Sequence, residues 1–281
     1  MDQAASLKNK GRQTRVIAVA SGKGGVGKSN VVANLACALA DYGRKVMILD
    51  ADLGLANLDV LLGFAPQYNL SHVLSGEKNL ADIVIDGPKG IKVIPASSGI
   101  QEVTHMGALE QRILLDQMEI FDGRFDYLFI DTAAGISEMV TSFLVAAHTS
   151  IVVVTPEPTS MTDAYALIKV LHNRFGEQQF YLLLNSVRNL KEAEQVFNKL
   201  NLVCEKFLDI SVDFLGYIPS DKAVPEAVRR QRAVVDINPE AEASKQFLTV
   251  ARELERTPVK KQTGGLQFFW RRLLHGEFAR E

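Results

Sequence analysis

Short apolar runs alternate with longer stretches of helical periodicity along most of the chain. The runs cover 16–20, 45–50, 91–95, 127–131, 150–155, 179–185 and 213–218. Most are rich in Val, Ile, Leu or Phe, as strands covered on both faces are. Between them, helical spacing covers 30–40, 105–121, 135–147, 162–175, 191–207 and 239–255, with short helices over 70–74 and 80–85 around a Ser75-Gly76 turn. This alternation predicts an α/β fold: a mostly parallel, doubly wound sheet with helices on both faces. Three runs end in or beside a polar residue, Asp50, Asp131 and Asn185. Ligand-contacting residues gather at the C-terminal strand ends of such sheets, so these three are expected to converge.

The loop after the first run reads Ser-Gly-Lys-Gly-Gly-Val-Gly-Lys-Ser over 21–29. It fits G-x-x-x-x-G-K-[ST] with Gly22, Gly27, Lys28 and Ser29 in the fixed places. Backbone N–H groups of such a loop, from Gly22 through Lys23, Gly24, Gly25 and Val26 to Asn30, cradle phosphates. Lys28 reaches the terminal phosphates and the Ser29 hydroxyl faces Mg²⁺. A strand before the loop and an apolar helix after it complete the context, and the helix N-terminus adds partial positive charge.

A second lysine, Lys23, makes the loop resemble the deviant Walker A box, KGGxGK[ST], of the MinD/ParA family of P-loop ATPases. The run YLFID ending at Asp131, followed by Thr132-Ala133-Ala134-Gly135, resembles a Walker B strand with its switch II loop; many members have proline where this chain has Ala133. The stretch DADLGLANLDVLLG from Asp50 resembles the family's switch I. The resemblance implies a Mg²⁺-dependent ATPase that dimerises on ATP. Its expected catalytic residues are Lys23, reaching the partner's nucleotide, Lys28 and Asp52, which orients the attacking water. Ser29, Asp50 and Asp131 are the expected metal-site residues. Asn185, Pro219 and Asp221 match base-contacting positions, and Glu157 matches a residue reaching the partner's ribose.

The net charge of −2 is unevenly spread: residues 1–15 carry +3, residues 256–281 carry +4, and the remainder carries −9. An acidic centre argues against nucleic-acid binding by the globular part. Two cysteines, Cys37 and Cys204, lie in unrelated segments, which excludes a disulfide framework and a CxxC-ligated cluster. Residues 1–15 are polar and basic, unlike a secretory signal, and no apolar run is long enough to span a bilayer.

The ends add two expectations. Leu266, Phe269, Trp270, Leu273 and Leu274 form one apolar helical stripe, with Arg271 and Arg272 elsewhere on the wheel. Such a helix suits an anionic membrane surface and resembles the C-terminal targeting helix of MinD proteins; a helix docked on its own domain is the alternative. The leader, with Asp2, Gln3, Ala4, Leu7 and Lys8, resembles that of the flagellar-number regulators of the FlhG/FleN branch. That branch implies an FlhF-type GTPase and a flagellar master transcription activator as partners. The expected organisation is a leader over 1–15, an ATPase domain over 16–255, a linker over 256–265 and a targeting helix over 266–278. The expected protein is cytoplasmic and peripheral on the inner face of the cell membrane, the pole included. A MinD-type division-site ATPase and a ParA-type DNA-partitioning ATPase are the rival readings.

Overall fold

The computed structural model describes residues 13–52, 57–95, 108–259 and 265–275. The leader residues Asp2, Gln3, Ala4, Leu7 and Lys8 lie outside them.

Eight strands form one sheet in the order β3-β4-β2-β5-β1-β6-β7-β8. They are β1 (Arg15–Ser21), β2 (Val46–Ala51), β3 (Ile85–Asp86), β4 (Lys92–Pro95), β5 (Tyr127–Ala134), β6 (Thr149–Val154), β7 (Tyr181–Val187) and β8 (Asp213–Pro219). All pairings are parallel except the short β3, which runs antiparallel to β4. The helical periodicity at 80–85 therefore yields only a single turn before the chain extends into this edge strand, which the sequence reading did not include.

Strand alternation divides the core. Val16, Ala18 and Ala20 of β1 face one layer and Ile17 and Val19 the other. The second layer holds α1 (Lys28–Asp41), α2 (Asn57–Leu62), α9 (Ala223–Arg229), α10 (Val234–Ile237) and α11 (Glu242–Arg256). The first holds α3 (Leu70–Leu74), α4 (Leu80–Ile83), α5 (Ala108–Glu119), α6 (Glu138–Ala146), α7 (Pro158–Phe175), α8 (Leu190–Leu208) and α12 (Leu266–His275). Helix α7 starts earlier than its periodicity suggests, because Pro158 occupies the first turn, where a missing N–H costs nothing.

Arg15 stands at the boundary of the expected leader; it opens β1 and is buried. Its guanidinium donates to Thr149 Oγ1 (2.8 Å), to the carbonyls of Leu254 (2.8 Å) and Thr257 (3.1 Å), and to Thr257 Oγ1 (2.5 Å). It thereby caps the C-terminus of α11 and ties the last helix of the second layer to the sheet.

Helix α12 is docked. The residues expected to face lipid, Leu266, Phe269, Trp270 and Leu273, are buried in the core of the first layer, and Leu274 packs against it half-buried. Phe269 stacks on Phe143 of α6 with ring centroids 6.3 Å apart and meets Trp270 edge-on at 5.2 Å. Asp122 caps the helix, its carboxylate accepting from the Leu266 N–H at 3.3 Å. The stripe that would suit an interface equally suits the apolar surface between α5 and α6, and burying each large side chain there gains about 1.5–3 kcal/mol. In this structure α12 is thus part of the same core as residues 16–255. Its described end is His275, and 276–278 lie outside the described residues. No helix among the described residues is long and apolar enough to cross a membrane.

Candidate active site

The central strand β1 feeds the loop 22–27, and α1 begins at Lys28. Neighbouring β5 pairs with both β1 and β2, and the β2–β5 register sets Asp50 directly beside Asp131. Two aspartates at adjacent strand ends thus share one buried place.

Lys28 answers that charge. Its ammonium is buried, pairs with Asp131 and lies 3.8 Å from an Asp52 carboxylate oxygen and 3.4 Å from Ser29 Oγ. Asp131 is completely buried, yet its Oδ2 has no hydrogen-bond partner among the described residues. Burial raises the Asp131 carboxyl above its ordinary value, with Lys28 pulling the other way. Burial, and next the Asp131 charge, push Asp50 from its ordinary 3.8 to about 7. The Asp52 N–H lies 3.4 Å from Asp50 Oδ1. Three aspartates, one lysine and one hydroxyl converge; of the three strand-end residues expected to meet, Asp50 and Asp131 do so here, while Asn185 lies against Val26 of the loop.

Two cavities open beside the loop and share Gly25, Gly27, Asn30 and Val228. One, of about 800 Å³, is lined by Gly24, Lys28, Ser29, Asp52, Leu61 and Ala133 among others. The other, of about 580 Å³, is lined by Asn185, Pro219, Asp221, Lys222, Val228 and Arg229 among others. Both fall in the size range of small-molecule sites.

Of the other expected site residues, Asp221, Asn185, Lys23 and Glu157 are held by partners within the chain. Asp221 lines the second cavity, but its carboxylate accepts from Ala223 N–H (2.9 Å) and Ala243 N–H (3.1 Å), so it holds the starts of α9 and α11 in place. Asn185 donates from Nδ2 to the carbonyl of Val26, at 2.7 Å. Lys23 and Glu157, both read as reaching a partner, pair with each other at 2.8 Å, and Lys23 also donates to Thr159 Oγ1 at 3.0 Å. Gly22 packs so tightly on α7 that a Cβ would stand 2.2 Å from the Asp163 carbonyl carbon. The lining residues Leu61, Lys222, Val228 and Arg229 carry no motif. They arrive because α2 and α9 fold over the strand ends, and only the basic run Arg229-Arg230-Gln231-Arg232 marked that stretch.

The family model described as ParA, NUBPL iron-transfer P-loop NTPase, matches residues 12–255. This chain belongs to the ParA/MinD family of P-loop NTPases. Within the family it is 45% identical to the antiactivator FleN of Pseudomonas aeruginosa, covering 92% of this chain and 93% of that protein. It is 36% identical to the flagellum site-determining protein YlxH of Helicobacter pylori, covering 95% and 91%. The solved septum site-determining protein MinD of Pyrococcus horikoshii, complexed with Mg-ADP, superposes with a TM-score of 0.68 at 27% identity, covering 86% of this chain and 96% of that one. The chain therefore falls with the flagellar regulators of the family. An iron-cargo role finds little support in its thiols: Cys37 and Cys204 are both buried, and burial pushes them up to about 12 and about 11.

Proposed function

We propose that this chain is an ATP-dependent dimerising switch that regulates flagellar number, hydrolysing ATP at the edge where β1, β2 and β5 end. The observation that carries the reading is the buried Lys28 held between Asp131 and Asp52 beside a phosphate-binding loop, in a chain 45% identical to an antiactivator named FleN. Without nucleotide, Lys28 neutralises carboxylates; with ATP, its ammonium turns to the β/γ-phosphates and the loop N–H groups take up the phosphate charge. Asp52 accepts a hydrogen bond from the attacking water and orients it in line with the γ-phosphate. The residues fit Mg²⁺: among the described residues Asp131 Oδ2 is buried without a hydrogen-bond partner and Asp50 is pushed up to about 7, hard oxygen donors whose charge the single Lys28 ammonium does not balance. Ser29, Asp50 and Asp131 would hold the ion. Bound there, Mg²⁺ supplies charge neutralisation for the phosphates.

Lys23 and Glu157 exchange their mutual pairing for contacts to the partner's nucleotide when two copies meet, so hydrolysis requires the dimer. Pro219 and Asn185 flank the base. Membrane contact requires α12 to leave its groove, after which Leu266, Phe269, Trp270, Leu273 and Leu274 face anionic lipid with Arg271 and Arg272 beside them. An FlhF-type GTPase and a flagellar master transcription activator are the proposed partners.

Deletion of the gene, complemented with wild type or with Asp52→Ala, tests the reading with flagella per cell and cell length scored together. Extra flagella with normal division are expected, and Asp52→Ala is expected to hold ATP without turnover. Normal flagella with minicells would instead assign the chain to division-site selection.

A further inference from the structure

We infer that Asn185 is a positioning residue for the phosphate-binding loop, acting on the 26–27 peptide, in addition to any contact with the base. The inference rests on the nucleotide-site reading above.

The geometry begins in β7. The β7–β8 register shifts between Asn185 and Val187, and the intervening Ser186 has φ 58, a left-handed conformation unusual for a residue with a side chain. The Asn185 amide reaches the loop, where Nδ2 donates to Val26 O at 2.7 Å. It presses so closely that a Cβ on residue 27 would stand 2.5 Å from Nδ2. Gly27 itself has φ 85. Position 27 is therefore glycine for two reasons, the backbone angle and the amide lying against it.

The consequence follows from peptide planarity. In a trans peptide the C=O and the next N–H point in opposite directions. Pinning Val26 C=O to Asn185 aims the Gly27 N–H away from Asn185. On its other side Gly27 is also fixed, because its carbonyl accepts the Val31 N–H at 2.9 Å at the start of α1. Left to itself this stretch would turn freely: Gly25 and Gly27 flank Val26, both at positive φ, and glycine adopts either sign of φ readily. A flip of the 26–27 peptide would replace a donor in the anion cradle with a carbonyl oxygen. Asn185 opposes that flip and spends one Nδ2 hydrogen on it; the second hydrogen and Oδ1 stay available for a base. One side chain thus links the base cavity to the phosphate loop.

Two partial ligands separate the roles: Mg-tripolyphosphate, which has no base, and adenosine, which has no phosphates. Each is titrated as a competitor of ATP on the full chain, comparing wild type with Asn185→Ala and Asn185→Asp. Aspartate keeps the shape but has no N–H for Val26 O, and Asn185 is only half-buried, so neither change opens the core. Loss of one bracing hydrogen bond is expected to weaken tripolyphosphate about tenfold in both variants. Tripolyphosphate affinity at the wild-type level in both variants, with adenosine alone weakened, would overturn the brace and leave Asn185 a base contact. A wild-type chain that binds neither ATP nor tripolyphosphate would overturn the nucleotide-site reading and the brace together.

Discussion

The nucleotide edge and the α12 groove are both buried surfaces completed by a neighbour, but they are completed by different physics. At the nucleotide edge, charge outruns its partners: Lys28 serves Asp131 and Asp52, Asp50 is pushed up to about 7, and Asp131 Oδ2 is unmatched among the described residues. In the groove, apolar surface is matched by apolar surface, and Trp270 Nε1 has no hydrogen-bond partner among the described residues. A site with unbalanced charge is one that a charged ligand can organise. A site already filled by the chain's own helix changes only if that helix departs.

The largest effect is expected from Lys28→Ala. It should lower ATP affinity at least a hundredfold by calorimetry while leaving the fold intact. The intact fold follows because Asp131, already raised by burial, takes up a proton when its partner is lost. A variant that unfolds instead would show that Lys28 is needed for the core, and the contrast between the two regions would fail.

Phe269→Ala attacks the groove. Truncating a buried phenylalanine costs about 3–5 kcal/mol, and because α12 is the last described helix and docks through one apolar face, the loss should appear as local undocking. Hydrogen exchange over 266–275 should rise and cleavage over 257–265 should quicken, with ATP affinity unchanged. Altered ATP affinity would show that the two regions are coupled in the monomer.

Asp50→Asn sharpens the electrostatic half. Between pH 3.8 and about 7, Asp50 is ionised in the unfolded chain while the folded chain keeps its proton. Wild-type stability from this group therefore falls as pH rises through that window. In nucleotide-free protein the gain in melting temperature from Asp50→Asn should grow from pH 4 to pH 7 and then level off. A gain independent of pH would deny the raised carboxyl.

Trp270→Phe should have the smallest effect. It removes a buried N–H that has no partner among the described residues, a group whose desolvation costs about 1–3 kcal/mol, and gives up some ring contact in return. Slightly slower exchange over 266–275 is the expected outcome. Clearly faster exchange would show that the indole ring's packing outweighs its stranded donor.

Much of the site was readable before any fold was known. Lys28, Ser29, Asp50 and Asp131 stand at strand ends or in a loop of fixed spacing, so a linear pattern encodes their meeting. Asp221 was less readable: a polar residue after a strand reads alike whether it faces a base or caps two helices, and its N–H partners at Ala223 and Ala243 depend on where α9 and α11 come to rest. Arg15 was half readable: its place before an apolar run suits a strand, but nothing local reveals that carbonyls from residues 254 and 257 will close around it.

By itself the sequence determined the strand–helix alternation, the phosphate loop and the strand-end carboxylates, since each depends on residues near one another in the chain. Tertiary structure alone decided the pairing of Lys23 with Glu157, the seating of Asn185 on Val26, and the docking of α12. An ion pair or an apolar stripe specifies only the chemistry of its partner. Which partner answers, a second subunit, a lipid surface or the chain's own core, is set by what the folded backbone brings within reach.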